Sequence, residues 1–290
     1  MSVRVLRICA VYFSPAGETG KVCTESAGYL ASELEKCCGS RVKIEYDDFT
    51  LPKDRSVVRC YNEDDLVVFG VPTYAGRVPN KILPFIPELF RGSGTPAVPI
   101  VTFGNRDYDS SLAELRDTLA ACGFVPIAGA AVSCRHAFAE IGTGRPDDRD
   151  IAILRKFASD AAEMLCDASF VPGEEKLHLD GHDDVKPYYV PMKADGTPAK
   201  FLKAKPVTDA SLCDGCGICS EVCPMGSVSA DDPAVVDGIC IKCQACVLKC
   251  PKKAKYFDDP DFLSHREYLE RHCTRRAETE TFIACHEREN

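Results

Sequence analysis

Between residues 213 and 251 the chain writes one cysteine pattern twice: C-D-G-C-G-I-C-S-E-V-C-P, then C-I-K-C-Q-A-C-V-L-K-C-P. Cys213, Cys216, Cys219 and Cys223 recur as Cys240, Cys243, Cys246 and Cys250, always 27 residues further on (240 against 213). Three thiolates on one short loop, two residues apart, supply three corners of a cubane, which needs soft anionic ligands. The fourth Cys of each run lies too far along and ligates the other cluster. Zinc ribbons use paired C-x-x-C elements separated by a longer loop, and give no role to a third Cys at the same step or to Pro224 and Pro251 after the fourth.

The doubled run resembles the bacterial two-cluster ferredoxins. By that resemblance Cys213, Cys216, Cys219 and Cys250 hold one 4Fe-4S cluster, and Cys240, Cys243, Cys246 and Cys223 hold the other. Gly215 and Gly217 let backbone N–H groups of the first loop approach cluster sulfurs, and such hydrogen bonds tune potential. The second loop carries Ile241, Lys242, Gln244 and Ala245 instead, so the two clusters need not be electronically equivalent.

A metal-dependent segment this short leaves the upstream residues to bury a separate core. An apolar fraction of 45% suits a soluble globular protein. Eighteen Cys would imply a disulfide framework only in a short secreted chain. The first residues, M-S-V-R-V-L-R-I-C-A-V-Y-F, interleave Arg4 and Arg7 with apolar positions and form no signal sequence. Residues 119–134, the most apolar stretch, are interrupted by Gly123, Pro126 and Gly129 and fall short of a membrane span. A reducing cytoplasm is the expected compartment. The Cys outside the clusters, among them Cys37, Cys38, Cys60, Cys273 and Cys285, read as buried or inert thiols. A net charge of −9 argues against a nucleic-acid partner and suits a basic docking patch on a redox partner.

Upstream, strands are expected at 3–12, 41–46, 65–71, 97–102 and 124–133, with helices at about 22–38, 80–90, 110–121 and 148–166. Five strands alternating with helices predict a doubly wound parallel sheet, whose ligands bind at the carboxyl ends of its strands. Three loops fall at that edge: Ser14 to Gly20, Pro72 to Pro79 and Phe103 to Tyr108. The first leads into a helix, the arrangement that holds a phosphate. It is no Walker loop, since Pro15 stands at the first required Gly and Val22 replaces the magnesium-binding Ser or Thr. No Gly-rich run has the strand-before-helix context of a dinucleotide site. His136 is the one His near this edge and reads foremost as structural.

The three loops resemble the FMN loops of the flavodoxin family. The resemblance implies that Ser14, Ala16, Gly17, Glu18 and Thr19 wrap the ribityl phosphate. It implies that Pro72, Thr73, Tyr74, Ala75 and Gly76 flank the isoalloxazine ring with Tyr74 on one face, and that Phe103, Gly104, Asn105 and Tyr108 bring Tyr108 or Phe103 to the other. Ala16, where the family has a hydroxyl, and the carboxylate of Glu18 depart from the pattern and imply weaker phosphate binding.

Residues 171–209, rich in Pro, Gly and charge, read as a connector, with Tyr188, Tyr189, Phe201 and Leu202 too apolar for a free tether. Phe262, Leu263, Tyr268 and Leu269 suit a short helix ahead of a charged tail. The order is a flavodoxin-like domain (1–170), a connector, a two-cluster domain (210–256), and a helix with tail (257–290). It resembles the flavodoxin–ferredoxin fusion proteins of anaerobes. That resemblance implies FMN, two 4Fe-4S clusters and electron transfer to a redox partner. The alternatives are a flavin-dependent reductase fed by the clusters and a redox sensor.

Overall fold

The computed structural model describes residues 5–39, 41–174 and 176–284. Five parallel strands form the frame: β1 (Arg7–Tyr12), β2 (Lys43–Asp48), β3 (Asp65–Pro72), β4 (Thr95–Phe103) and β5 (Ala128–Ser133). Their spatial order is 2-1-3-4-5, the flavodoxin-like winding, whose switch point lies between β1 and β3. β3 and β4 are buried on both faces and accordingly read as near-continuous apolar runs.

Helix α1 (Glu18–Cys38) and helix α3 (Asp148–Cys166) cover one face. Their Val22, Ala27, Leu30, Leu154, Phe157 and Leu165 pack on Ile8, Val68, Ile100 and Val132. α1 lies so close to β3 that a Cβ at Gly70 would sit 1.9 Å from the Cys23 sulfur. Helix α2 (Ser111–Ala121) covers the other face, where Leu112 and Leu115 meet Phe69, Phe90 and Val101. Each such side chain, fully buried, contributes about 1.5–3 kcal/mol.

The structure departs from expectation in three places. The segment expected as a helix over 80–90 is helical only at Phe85–Leu89, because Pro84 and Pro87 remove backbone donors. The strand expected over 124–133 is broken at Ile127 into Phe124–Pro126 and β5, with both pieces pairing with β4. The charged tail also contains a strand, β6 (Glu280–Ile283), which pairs antiparallel with β5 from Glu280↔Ala131 to Ile283↔Ala128. Phe282 and Ile283 pack into the cores on opposite faces of the sheet.

β6 is held by an ion network, buried at Arg145 and Asp150 and half-exposed at Asp147 and Arg276. Arg145 pairs with Asp150, which is fully buried. Arg276 pairs with Asp147 at 2.6 Å, and Thr279 donates to Asp150 at 2.8 Å. Asp147 also caps α3, accepting from the amides of Arg149 and Asp150, so one carboxylate cluster starts a helix and anchors the returning chain.

The connector lies along both halves. Tyr189 N–H donates to the carbonyl of Ala75 at 2.9 Å, and Arg77 stacks over Tyr188. Leu202, by contrast, is 92% exposed. Helix α4 (Pro260–His272), capped by Asp259, buries Phe262, His265 and Leu269. Cys9, Cys23, Cys122 and Cys134 are buried and Cys37 and Cys60 exposed; burial pushes the Cys9 thiol up to about 12, which leaves it inert. Residues 3 and 4, Glu175 and Cys285 lie outside the described residues, as does the side chain of Cys38.

Candidate functional site

The repeat in the cysteine runs is also a repeat of the backbone. Gly215, Gly217 and Gly226 have φ of 73°, 75° and 59°, and their counterparts 27 residues on, Lys242, Gln244 and Lys253, have φ of 55°, 65° and 55°. Side chains rarely tolerate this left-handed conformation, at roughly 1–2 kcal/mol each, so the second loop keeps the first loop's path at a cost. A helical turn carries the third Cys of each triad, at Ile218–Glu221 and Ala245–Leu248.

Cys213, Cys216, Cys219 and Cys250 stand around one small hollow. Cys223, Cys240, Cys243 and Cys246 stand around a second. Among the described residues no three His, Cys, Asp or Glu converge as ligands of a single ion do; four sulfurs around a hollow suit a multi-atom cluster. Amides point at the sulfurs in matching places: Ser227 N–H donates to Cys223 Sγ at 3.2 Å and Ala254 N–H to Cys250 Sγ at 3.3 Å. Against the opposing effect of burial, the amides of Ala254, Lys255, Lys252 and Lys253 hold the Cys250 thiol below its ordinary range. In the second set burial dominates, pushing Cys243 up and Cys246 up to about 12. Thiols raised in this way deprotonate when a metal centre takes them as ligands.

The three loops at the carboxyl edge of the sheet border one cavity of about 230 Å³. Ala16, Glu18, Thr19, Pro72, Thr73, Tyr74, Ala75, Gly76, Phe103 and Gly104 line it. Ser14 and Gly17 stand behind it. The Ser14 hydroxyl accepts from Gly20 N–H at 2.8 Å, and Gly17, at φ 101°, turns the chain into α1. The first intrahelical bond runs from Lys21 N–H to the Gly17 carbonyl, which leaves the amides of Glu18 and Thr19 ahead of it at the cavity mouth.

Two residues expected at the flavin, Tyr108 and Asn105, do not line the cavity. Tyr108 is buried, and its hydroxyl donates to Glu280. Asn105 is buried as well; its amide donates to the carbonyls of Cys273 and Arg275, and its oxygen accepts from Ala277 N–H. Both fasten the returning chain to the loop after β4, which a reading of that loop in isolation could not show.

Other walls come from distant segments. Tyr189, Pro191 and Phe201 of the connector and His265 and Leu269 of α4 form a roof, while Arg106, Arg135 and His136 edge the cavity from the loops after β4 and β5. Arg106 sits 3.9 Å over the Tyr189 ring. His265 stacks on Phe201, its Nδ1 2.9 Å from the Met192 carbonyl. The apolar residues of the connector were the one signal of this roof. His136 accepts through Nδ1 from the amides of Phe138 and Ala139. Burial, with His265 and Arg106 nearby, lowers its pKa to about 3, so its ring is neutral. It packs against Gly104, where any Cβ would lie 2.3 Å from the ring.

Ile241 and Lys242, from the second cysteine loop, also line the cavity. Tyr74 registers that proximity: burial, then the nearby Cys243 and Cys240 sulfurs, push its phenol well above the ordinary range.

Residues 212–255 match the family model described as 4Fe-4S dicluster domain. The chain joins a flavodoxin-like sheet to a 4Fe-4S dicluster domain. Among solved structures, rubredoxin oxygen:oxidoreductase from Desulfovibrio gigas is 20% identical over 57% of this chain and 37% of that one, with a TM-score of 0.37. A flavodoxin from Streptococcus pneumoniae TIGR4 is 16% identical over 54% and 98%, at 0.36, and an oxidoreductase from Corynebacterium diphtheriae 15% over 57% and 96%, at 0.40. The flavodoxin-like assignment rests on the strand order itself. No curated protein matches the chain. Among the described residues no helix is long and apolar enough to cross a membrane.

Proposed function

We propose that this protein is an electron relay, which holds FMN in the cavity at the sheet edge and a 4Fe-4S cluster in each cysteine hollow, and exchanges electrons with a redox partner. The observation that carries the reading is the shared wall: Ile241 and Lys242, flanked by Cys240 and Cys243, border the same cavity as the three loops. Bound flavin takes one or two electrons whereas each cluster takes one, so the fusion joins the two kinds of chemistry. The fit is chemical as well as spatial, with amides at the start of α1 for a phosphate and aromatic walls for a ring.

This reading gives the two cysteine sets different duties. The set of Cys223, Cys240, Cys243 and Cys246 adjoins the flavin cavity. The set of Cys213, Cys216, Cys219 and Cys250 has Cys216 exposed and faces the partner. A net charge of −9 favours a partner with a basic patch. FMN is favoured over FAD because no dinucleotide fingerprint provides an adenosine site. That Tyr189, Phe201 and His265 wall the cavity as well as the three loops supports a relay over a reductase, which must also admit a substrate.

The test is kinetic. After anaerobic reconstitution and quantification of iron, sulfide and acid-released flavin, the clusters are reduced rapidly and the flavin absorbance is followed. Equilibration at a rate independent of protein concentration is expected; a second-order rate would sink the relay.

A further inference from the structure

The loop before α1 brings little hydroxyl to the cavity, since Ser14 is not among the residues that line it. Ser14 Oγ accepts from Gly20 N–H at 2.8 Å, the Thr19 and Thr102 hydroxyls share a bond of 2.7 Å, and position 16 is Ala. Glu18 lines the cavity from this loop, and its carboxylate repels a phosphate. The donors of the loop would have to outweigh that charge.

A cation stands across from it. Arg135 lines the cavity from the loop after β5, its Nη2 3.9 Å from Glu18 Oε1, too long for a hydrogen bond. The other cations of the cavity are engaged elsewhere. Arg106 pairs with Asp109 and lies over Tyr189, and Lys242 donates to the carbonyls of Leu202 and Cys240. Arg135 is also held in place by its backbone. Cys134 N–H donates to the Phe103 carbonyl at 2.8 Å, Arg135 N–H to Arg145 at 3.2 Å and His136 N–H to Ile141 at 3.0 Å.

We infer that Arg135 is the residue that recognises the phosphate of the bound flavin, giving up its loose contact with Glu18 to do so. The inference rests on the flavin reading above. A guanidinium fork matches a phosphate through two parallel hydrogen bonds, and a phosphate monoester carries more negative charge than the carboxylate it displaces. Arg135 and Glu18 would then set the preference for phosphorylated flavin over riboflavin.

The experiment titrates the flavin-stripped, cluster-loaded full-length protein with FMN and separately with riboflavin, following quenching of flavin fluorescence. Wild type is expected to prefer FMN. Arg135→Gln should lower FMN affinity by ~10–100-fold and leave riboflavin affinity unchanged; Arg135→Lys should recover part of the loss, and Glu18→Gln should raise FMN affinity. FMN affinity unchanged in Arg135→Gln, or equal losses for both flavins, overturns the assignment while the flavin reading stands. Wild type that binds neither flavin overturns both.

Discussion

The hydroxyl of Tyr108 donates to a carboxylate oxygen of Glu280 at 2.6 Å, joining the loop after β4 to a strand contributed from beyond the cluster domain. Burial and this bond both push the Tyr108 phenol up. Tyr108→Phe keeps the ring against Phe103 and His182 and removes the bond alone. It should cost about 1–2 kcal/mol in urea unfolding and leave flavin affinity unchanged. Tyr74→Ala, at the cavity, should weaken flavin binding through loss of ring stacking. Equal effects of both variants in a flavin titration would put Tyr108 back at the ring.

His136 carries a pH dependence whose sign is fixed by its neutral, buried state. Its folded pKa of about 3 lies below the ordinary value of about 6.5, so the unfolded chain takes up the proton first. Stability from this residue is complete above about pH 6.5 and is lost as pH falls toward 3. Between pH 7 and 5 wild type should lose roughly 2 kcal/mol more than His136→Gln does, measured by urea unfolding of both at each pH. Parallel losses would mean that His136 is protonated in the fold.

The cysteine runs were legible because ligand spacing is a local code, and the central strands because burial on both faces leaves continuous apolar runs such as D-L-V-V-F-G-V. What escaped was long-range. E-T-F-I has only four residues and is polar at its start, and it becomes a strand because β5 offers an edge and Asp147 and Asp150 hold Arg276 and Thr279. Asn105 is expected at the flavin because its loop sits at the right edge, yet its side chain serves residues 273–277. In the cluster loop, Lys242 and Gln244 gave no hint of left-handed backbone, since only the repeat of Gly215 and Gly217 requires it.

That repeat yields a test at Lys242. Lys242→Gly should relieve roughly 1–2 kcal/mol of backbone strain and remove the ammonium donated to the Cys240 carbonyl at 3.1 Å. Loss of a nearby cation disfavours an added electron, so the cluster of Cys240, Cys243 and Cys246 should become harder to reduce. The other cluster should hold its potential, because Lys242 does not border the hollow of Cys213, Cys216, Cys219 and Cys250. An anaerobic redox titration followed by electron paramagnetic resonance checks both midpoints; two equal shifts, or none, would count against the local role of Lys242.

The crossover of the fourth cysteines makes the sharpest prediction, because it assigns a variant in one run to the cluster of the other. Cys223 shares its hollow with Cys240, Cys243 and Cys246, and Cys250 shares its hollow with Cys213, Cys216 and Cys219. Each receives an amide at the equivalent repeat position, from Ser227 and Ala254. Cys223→Ala should therefore damage the cluster beside the flavin cavity, although most of its own run belongs to the distant one. Fast equilibration between flavin and iron should disappear, while the spectroscopic signal of the distant cluster survives. Cys250→Ala should do the opposite: the distant signal is lost, the flavin still equilibrates with the remaining cluster, and exchange with an external electron donor slows. Serine at either position, a weaker oxygen ligand, keeps the comparison usable if alanine strips all the iron. Were Cys250→Ala to uncouple the flavin and Cys223→Ala to spare it, each run would be holding its own cluster, and the route through Ile241 and Lys242 would have to be redrawn.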